Sequence, residues 1–331
     1  MQANQSVVIT TVDGLPEQVH VFSEAEVLAV DTAIAAYRAL LVRGEPGIGK
    51  TQLAIAAAVA LGRGFVSHVV DSRTEARDLL WHFDAVARLA QAQVQGALSG
   101  GRTDRVTVER ALNIGNFIQP RPIWWAFDWT NALCQAERAG CSPPPQPHRC
   151  NPANGMVVLI DEIDKADTDV PNGLLEALGA GEFTAPGIDG PVRRDPAMPP
   201  PLVIITTNED RGLPDPFVRR CLALHLRLPE ERRELIEHLV ARGKAHFPGM
   251  TKPILEHAAE MLADDRAMAR HHSWLPLPGQ AEYIDLIRVL HTKAAHDATS
   301  QQALLDRIRP FILRKHPDAA RQASSPPEPA A

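Results

Sequence analysis

No stretch of this chain approaches the run of about 18 apolar residues that a membrane-spanning helix needs. The longest apolar run, Leu53–Leu61, is short and suits a buried helix instead. Cysteine is scarce, with 4 in 331 residues, which argues against a disulfide framework. There is no basic surplus: Lys and Arg number 34 against 40 Asp and Glu, for a net charge of −6. That balance gives no support to a broad nucleic-acid surface, although a local patch can hide in a global sum. The first residues, MQANQSVVIT, lack a basic segment leading into an apolar core, so they do not read as a secretory signal. A cytoplasmic protein is expected. Aromatics make up only 5% of the chain. With 45% hydrophobic and 22% charged residues, the remainder is that of an ordinary globular chain, long enough for two domains.

Residues 1–20 read as irregular. Ser23, with Glu26 three residues on, forms the signature of a capped helix start, and Val27, Val30 and Ile34 continue it. Short apolar strands then alternate with helical spacing. The strands are "ALLVR", "GFVSHVVD", "MVVLI" (Met156–Ile160), "PLVIITTN" and "CLALHLRLP". A helix is expected over Lys50–Gly62, another through Thr74–Leu98 and a third in "PNGLLEALGAGEF". "CSPPPQPHRCNPANG" (Cys141–Gly155) reads as a surface loop. The alternation predicts an α/β fold with a five-stranded parallel sheet covered on both faces, over residues 21–228. From Pro229 the pattern becomes wholly helical, which predicts a small α-helical domain over 229–315. The tail, 316–331, is compositionally disordered.

"GEPGIGKT" is Gly44, Glu45, Pro46, Gly47, Ile48, Gly49, Lys50 and Thr51, and it lies between a strand and a helix. Backbone N–H groups of such a glycine turn wrap a phosphate, and the helix N-terminus adds its dipole. Lys50 then reaches the β- and γ-phosphates, and Thr51 offers a hydroxyl to Mg²⁺. "VVLIDEID" ends an apolar strand in Asp161 and Glu162. Asp161 would face the Mg²⁺ through water, and Glu162 would polarise an attacking water. Asn208, at the tip of "VIITTNED", is placed to reach both a γ-phosphate and that water, or else simply makes an Asx turn. Arg219 and Arg220 end a short helical turn in "LPDPFVRRC"; supplied in trans, such an arginine stabilises transition-state charge.

In this order the motifs resemble an AAA+ ATPase, and "DEIDKADTDVPNGLLEALGAGEFT…GPVRR…PLVIITTNEDRGLPDPFVRRC" is similar to its MoxR branch. The resemblance covers roughly Val21 to Leu290. It implies a P-loop αβα sandwich with a helical lid, binding ATP and Mg²⁺ and hydrolysing ATP. Gly44, Gly47, Gly49, Lys50 and Thr51 match Walker A, Asp161 and Glu162 match Walker B, and Asn208 matches sensor 1. Arg220 best matches the arginine finger, with Arg219 as the other candidate. A finger in trans implies a ring, usually a hexamer. The sequence departs at sensor 2: no Arg or Lys occurs from Ser273 to Ile287. Gln280 or Ala281 stands near that position, so either the lid senses nucleotide more weakly or a residue elsewhere, such as Arg270 or Arg288, substitutes. The family's habit suggests chaperone-like remodelling of a protein client, often with a von Willebrand factor A domain partner. Two other readings stay open: a nucleic-acid loader or translocase, and a slow nucleotide-dependent switch. Residues 98–122 and Gly181–Pro201 are the candidate substrate or pore contacts.

Cys134, Cys141, His148 and Cys150 are metal-ligand types, but they lack the paired knuckle spacing of zinc sites. Trp124, Trp125, Phe127 and Trp129 have only Arg121 near them, so packing is expected rather than base stacking. "HHSW" at His271–Trp274 reads as a polar lid loop.

Overall fold

A computed structural model of the chain describes residues 1–9, 17–99, 105–209, 211–293 and 298–319. In chain order, strands β1 (Ser6–Ile9) and β2 (Gln18–Val21) precede helix α1 (Glu24–Ala36), strand β3 (Leu40–Gly44), helix α2 (Lys50–Leu61) and strand β4 (Arg63–Val69). Strand β5 (Trp81–Phe83) leads to α3 (Ala85–Ser99), α4 (Arg105–Ala111), strand β6 (Ile118–Pro120), α5 (Pro122–Phe127) and α6 (Trp129–Ala139). Then come β7 (Asn151–Asp161), α7 (Asp169–Ala180), the short strands β8 (Glu182–Phe183) and β9 (Val192–Arg193), β10 (Leu202–Thr207), α8 (Asp215–Arg220) and β11 (Leu222–Leu226). Helices α9 (Arg232–His246), α10 (Lys252–His271), α11 (Gln280–Lys293) and α12 (Ala298–Ile312) complete the described chain.

The centre is a five-stranded, all-parallel sheet in the order β11-β3-β10-β7-β4. Strand residues alternate between two apolar layers, as the two-residue period of a strand requires. Leu40, Val42, Val157, Leu159 and Ile204 pack with α1 and α2 on one face. Leu41, Val158, Ile160, Val203 and Ile205 pack with α5 to α8 on the other. Trp124 and Phe127 are buried there, both against Phe183 of the β8–β9 hairpin, with ring centroids 5.6 and 6.0 Å apart. The tryptophan-rich stretch is therefore core. The helices after β11 have an apolar centre of their own, around Leu239, Leu255, Leu262, Tyr283 and Ile287. The fold is the α/β P-loop architecture expected, with a helical C-terminal region.

The Ser23–Glu26 capping box is present in full, and Gly62 ends α2 in the left-handed conformation. Elsewhere local expectations gave way. Residues 1–20 include an antiparallel β1–β2 pair, with Val7↔His20 in register. The single helix expected over Thr74–Leu98 is broken by a turn at Ala76–Leu79 and by β5, which pairs with β6. Asp84 restarts the helix, its carboxylate accepting from the Ala87 N–H at 2.8 Å. Val86 and Leu89, which continue the helical apolar spacing of this stretch, lie 79% and 62% exposed. Strand β7 begins at Asn151, inside the expected loop, because a register shift between Arg63 and Gly64 lets it pair early with β4. In the HHSW loop, Trp274 is buried, stacked between His272 and His316 at 4.5 and 5.5 Å. Thus His316 and Ala319, read as tail, pack against this loop; 320–331 lie outside the described residues, as do 100–104 of the 98–122 segment.

The helical region meets the core through charged and imidazole groups. Arg242 donates to the Val21 carbonyl, while His238 of α9 lies 3.0 Å from the Gln280 side-chain oxygen of α11, within the helical region. His246, beside them, is pushed down from its ordinary 6.5 to about 4 by burial and by the nearby cations Arg288 and Arg242. The unfolded chain therefore takes up this proton first as pH falls. His246 should leave stability unaffected above about pH 6.5 and subtract from it progressively towards pH 4. Denaturant midpoints measured from pH 7 to 4 should fall less steeply in the His246→Gln variant than in the wild type; parallel curves would contradict this.

Candidate functional site

The carboxyl ends of β3, β10 and β7 lie level at one edge of the sheet. Thr207 stands opposite Arg43, and Ile205 opposite Ile160. Clefts in open α/β sheets form at this edge. Here a cleft of about 360 Å³ is lined by Lys50, Thr51, Asp161, Glu162 and Asn208, with Gln280, Ala281, Asp285 and Arg288 closing it from α11.

The Gly44–Thr51 loop needs its glycines. A Cβ on Gly44 would stand 2.5 Å from the Leu226 carbonyl oxygen, and Gly49, the residue before α2, has φ +104°. No side chain caps that helix start, so its first N–H groups face the cleft. Lys50 is only 7% exposed. Its ammonium donates to the carbonyls of Gly44 and Glu45 at 2.7 and 3.0 Å and to Asn208 Oδ1 at 2.7 Å. Pro46 and Gly47 line the cleft, while Ile48 packs against the helical region's core. The Glu45 side chain turns away, onto Arg266.

Thr51 donates to Asp161 Oδ2 at 2.9 Å. The other Asp161 oxygen accepts from the Thr206 hydroxyl, which in turn accepts from the Glu162 N–H at 2.9 Å. Glu162 itself is left-handed, at φ 60° and ψ 47°. For a non-glycine residue that conformation is costly, and it persists where surrounding structure enforces it. It carries the Glu162 carboxylate out of line with the strand, where Oε1 accepts from Asn208 Nδ2 at 3.3 Å and Oε2 from Lys165.

These residues fit a nucleotide's phosphates and a hard divalent cation. The loop supplies N–H donors and one buried ammonium. Thr51 and Asp161 supply adjacent oxygens of the kind Mg²⁺ takes, and two protein oxygens suffice for a cation that keeps several waters and binds phosphate. The geometry thus gathers eight of the sequence-derived candidates: Pro46, Gly47, Gly49, Lys50, Thr51, Asp161, Glu162 and Asn208 all line one cleft. Arg219 and Arg220 are not among its lining residues. Arg220 lines another cavity with Tyr37, Arg38 and Arg194. Of the two substitutes considered for a lid arginine, Arg288 reaches the cleft and Arg270 lines a separate one.

Sequence reasoning missed Thr206, Lys165 and His246. Thr206 was signalled only by the repeated threonine of "TTN", which also fits an ordinary strand end. Cys134, Cys141, His148 and Cys150 do not gather: among the described residues no three His, Cys, Asp or Glu side chains form a metal-holding group. Burial pushes the Cys150 thiol up to about 11. Also among the described residues, no helix is long and apolar enough to cross a membrane.

Among solved structures, the chain is similar to a proposed ATPase from Cytophaga hutchinsonii ATCC 33406, at 14% identity over 88% of this chain and 80% of that one, with a TM-score of 0.35. A superposition that loose has no bearing on the fold. No curated protein matches the chain. The profile of the AAA domain (dynein-related subfamily) matches residues 39–242, from the start of β3 into α9 and well over half of the chain. With its phosphate loop, acidic strand end and polar strand tip on three adjacent strands of the matched region, this chain belongs to the AAA ATPase family, in the dynein-related subfamily.

Proposed function

We propose that this protein binds ATP with Mg²⁺ and hydrolyses it as a MoxR-type AAA+ machine, working as a ring of copies on a protein client. The observation that carries this reading is the convergence of Lys50, Thr51, Asp161, Glu162 and Asn208, from three strand ends, on one cleft. Bound Mg²⁺–ATP supplies the phosphoanhydride and a cation that draws charge from it. Lys50 and the loop N–H groups hold the β- and γ-phosphates. Thr51 and Asp161 hold the cation. Asn208 and Glu162, already in contact, orient a water, and Glu162 accepts its proton.

Arg219 and Arg220 serve a neighbouring copy in this scheme, because their own cleft excludes them. Two unlike patches on one chain make head-to-tail contacts, which close into a ring when the rotation between copies closes. A hexamer is the assembly to look for, and a partner with a von Willebrand factor A domain is the first client to try. Nucleic acid is the less favoured load. Of the Arg193/Arg194 pair, Arg193 is held by Glu182 at 2.7 Å.

Lys50→Ala should abolish ATP binding in an equilibrium titration, and tight binding by the variant would remove the loop from its role. Glu162→Gln should retain ATP while kcat falls by about 10²-fold or more; an unchanged kcat would dismiss Glu162 as the base. Arg220→Ala should cost about 10³-fold or more in rate. Mixing Arg220→Ala subunits with Lys50→Ala subunits should restore part of that loss at shared interfaces, whereas a confirmed mixed ring with no recovery would sink the finger in trans.

A further inference from the structure

Arg266 lies in the last third of α10, 221 residues from Glu45 and only 3% exposed at its side chain. A guanidinium so deeply buried must be paired to be tolerated. Its Nη2 donates to both Glu45 carboxylate oxygens at 2.8 Å, and its Nη1 donates to the Pro278 carbonyl at 2.8 Å. Each partner leads straight to the cleft. The Glu45 carbonyl accepts from the Lys50 ammonium at 3.0 Å. Pro278 lies two residues ahead of α11, whose Ala281 Cβ would stand 2.9 Å from a Cβ on Gly47. One side chain therefore ties together α10, the segment entering α11 and the phosphate loop.

The two ends of this tie are unlike. Glu45 is 43% exposed and sits on a loop that must shape itself to phosphate, whereas Arg266 is fixed in a packed helix. A change in loop geometry on filling the cleft would therefore be felt first at the Glu45 carboxylate. Through Arg266 it would pass into α10, which contributes no residue to the cleft lining: that lining skips from His246 to Gln280.

We propose that Glu45 and Arg266 are positioning residues that couple the phosphate loop to the helical region, so that the occupancy of the cleft is transmitted into residues 262–279. The inference rests on the nucleotide-binding reading above, and the test separates the two.

Amide hydrogen exchange is followed in the full chain with and without the non-hydrolysable analogue AMP-PNP and Mg²⁺. In the wild type, nucleotide should slow exchange both at 44–51, by direct contact, and at 262–279, by transmission. A slowing of about fivefold or more at 262–279 corresponds to the low end of ordinary coupling between sites. Glu45→Gln, nearly isosteric and at a partly exposed position, should keep the protection at 44–51 and lose it at 262–279. Arg266→Lys, which cannot span both Glu45 and Pro278, should do the same in part. In turnover, Glu45→Gln should raise KM more than it lowers kcat. Protection at 262–279 that persists in Glu45→Gln, or that is missing from a wild type protected at 44–51, would overturn the coupling and leave the nucleotide site standing. A wild type unprotected even at 44–51 would overturn the nucleotide reading itself.

Discussion

The cleft is organised around one buried charge. Lys50 is only 7% exposed, and a charge so largely withdrawn from water must be met by oxygens. Its partners come from the loop after β3 and from the tip of β10, distant in sequence and adjacent only because those strands pair. A slip of one residue between them would turn Asn208 away from Lys50. Register is held by burial on both faces of the sheet: Leu40 and Val42 enter one apolar layer while Leu41 enters the other, so a slip would reverse all three. The position of a polar side chain is thus secured by apolar packing well behind it.

The same logic fixes the acidic pair. Asp161 ends β7 in line with the strand, and Thr206, in the neighbouring strand, holds it by the hydroxyl. That one hydroxyl also accepts from the Glu162 N–H, at the residue where the backbone turns left-handed. Two consecutive carboxylates in a regular strand would point to opposite faces. The left-handed turn instead delivers Glu162 towards Asn208 while Asp161 stays beside Thr51. The local strain at Glu162 is what lets adjacent residues occupy one cleft in different positions.

This account explains which parts were legible in the sequence. Strands β3, β7 and β10 could be read because burial on both faces makes them continuous apolar runs, and the phosphate loop because its glycines and lysine have fixed spacing. The Ser23–Glu26 cap was legible for the same reason: it is a contact within four residues. What could not be read depends on partners far along the chain. The broken helix at 74–98 carries a periodic apolar pattern, but β5 is drawn into pairing with β6 and Val86 and Leu89 are left in solvent. The early start of β7 depends on a register shift against β4. Thr206 acts through residues 44 and 45 positions away, and the Glu45–Arg266 tie spans 221. Nothing local distinguishes these residues from ordinary strand and helix positions.

The placement of the arginines follows from the same sheet. Helix α8 leads directly into β11, the edge strand beside β3, and its last residues are held from behind: the Arg38 guanidinium donates to the carbonyls of Arg219, Arg220 and Cys221. Those carbonyls tie the end of α8 to the chain just ahead of β3, at the opposite end of that strand from the loop that bears Lys50. A parallel strand separates its two ends by its own length, so Arg220 cannot reach its own Lys50 without unravelling the helix–strand junction. Under the proposed ring that separation is useful. There, a chain that keeps Thr51 and Asp161 at one end of the sheet and Arg219 and Arg220 near the other would present two complementary half-sites, each completed by a second copy.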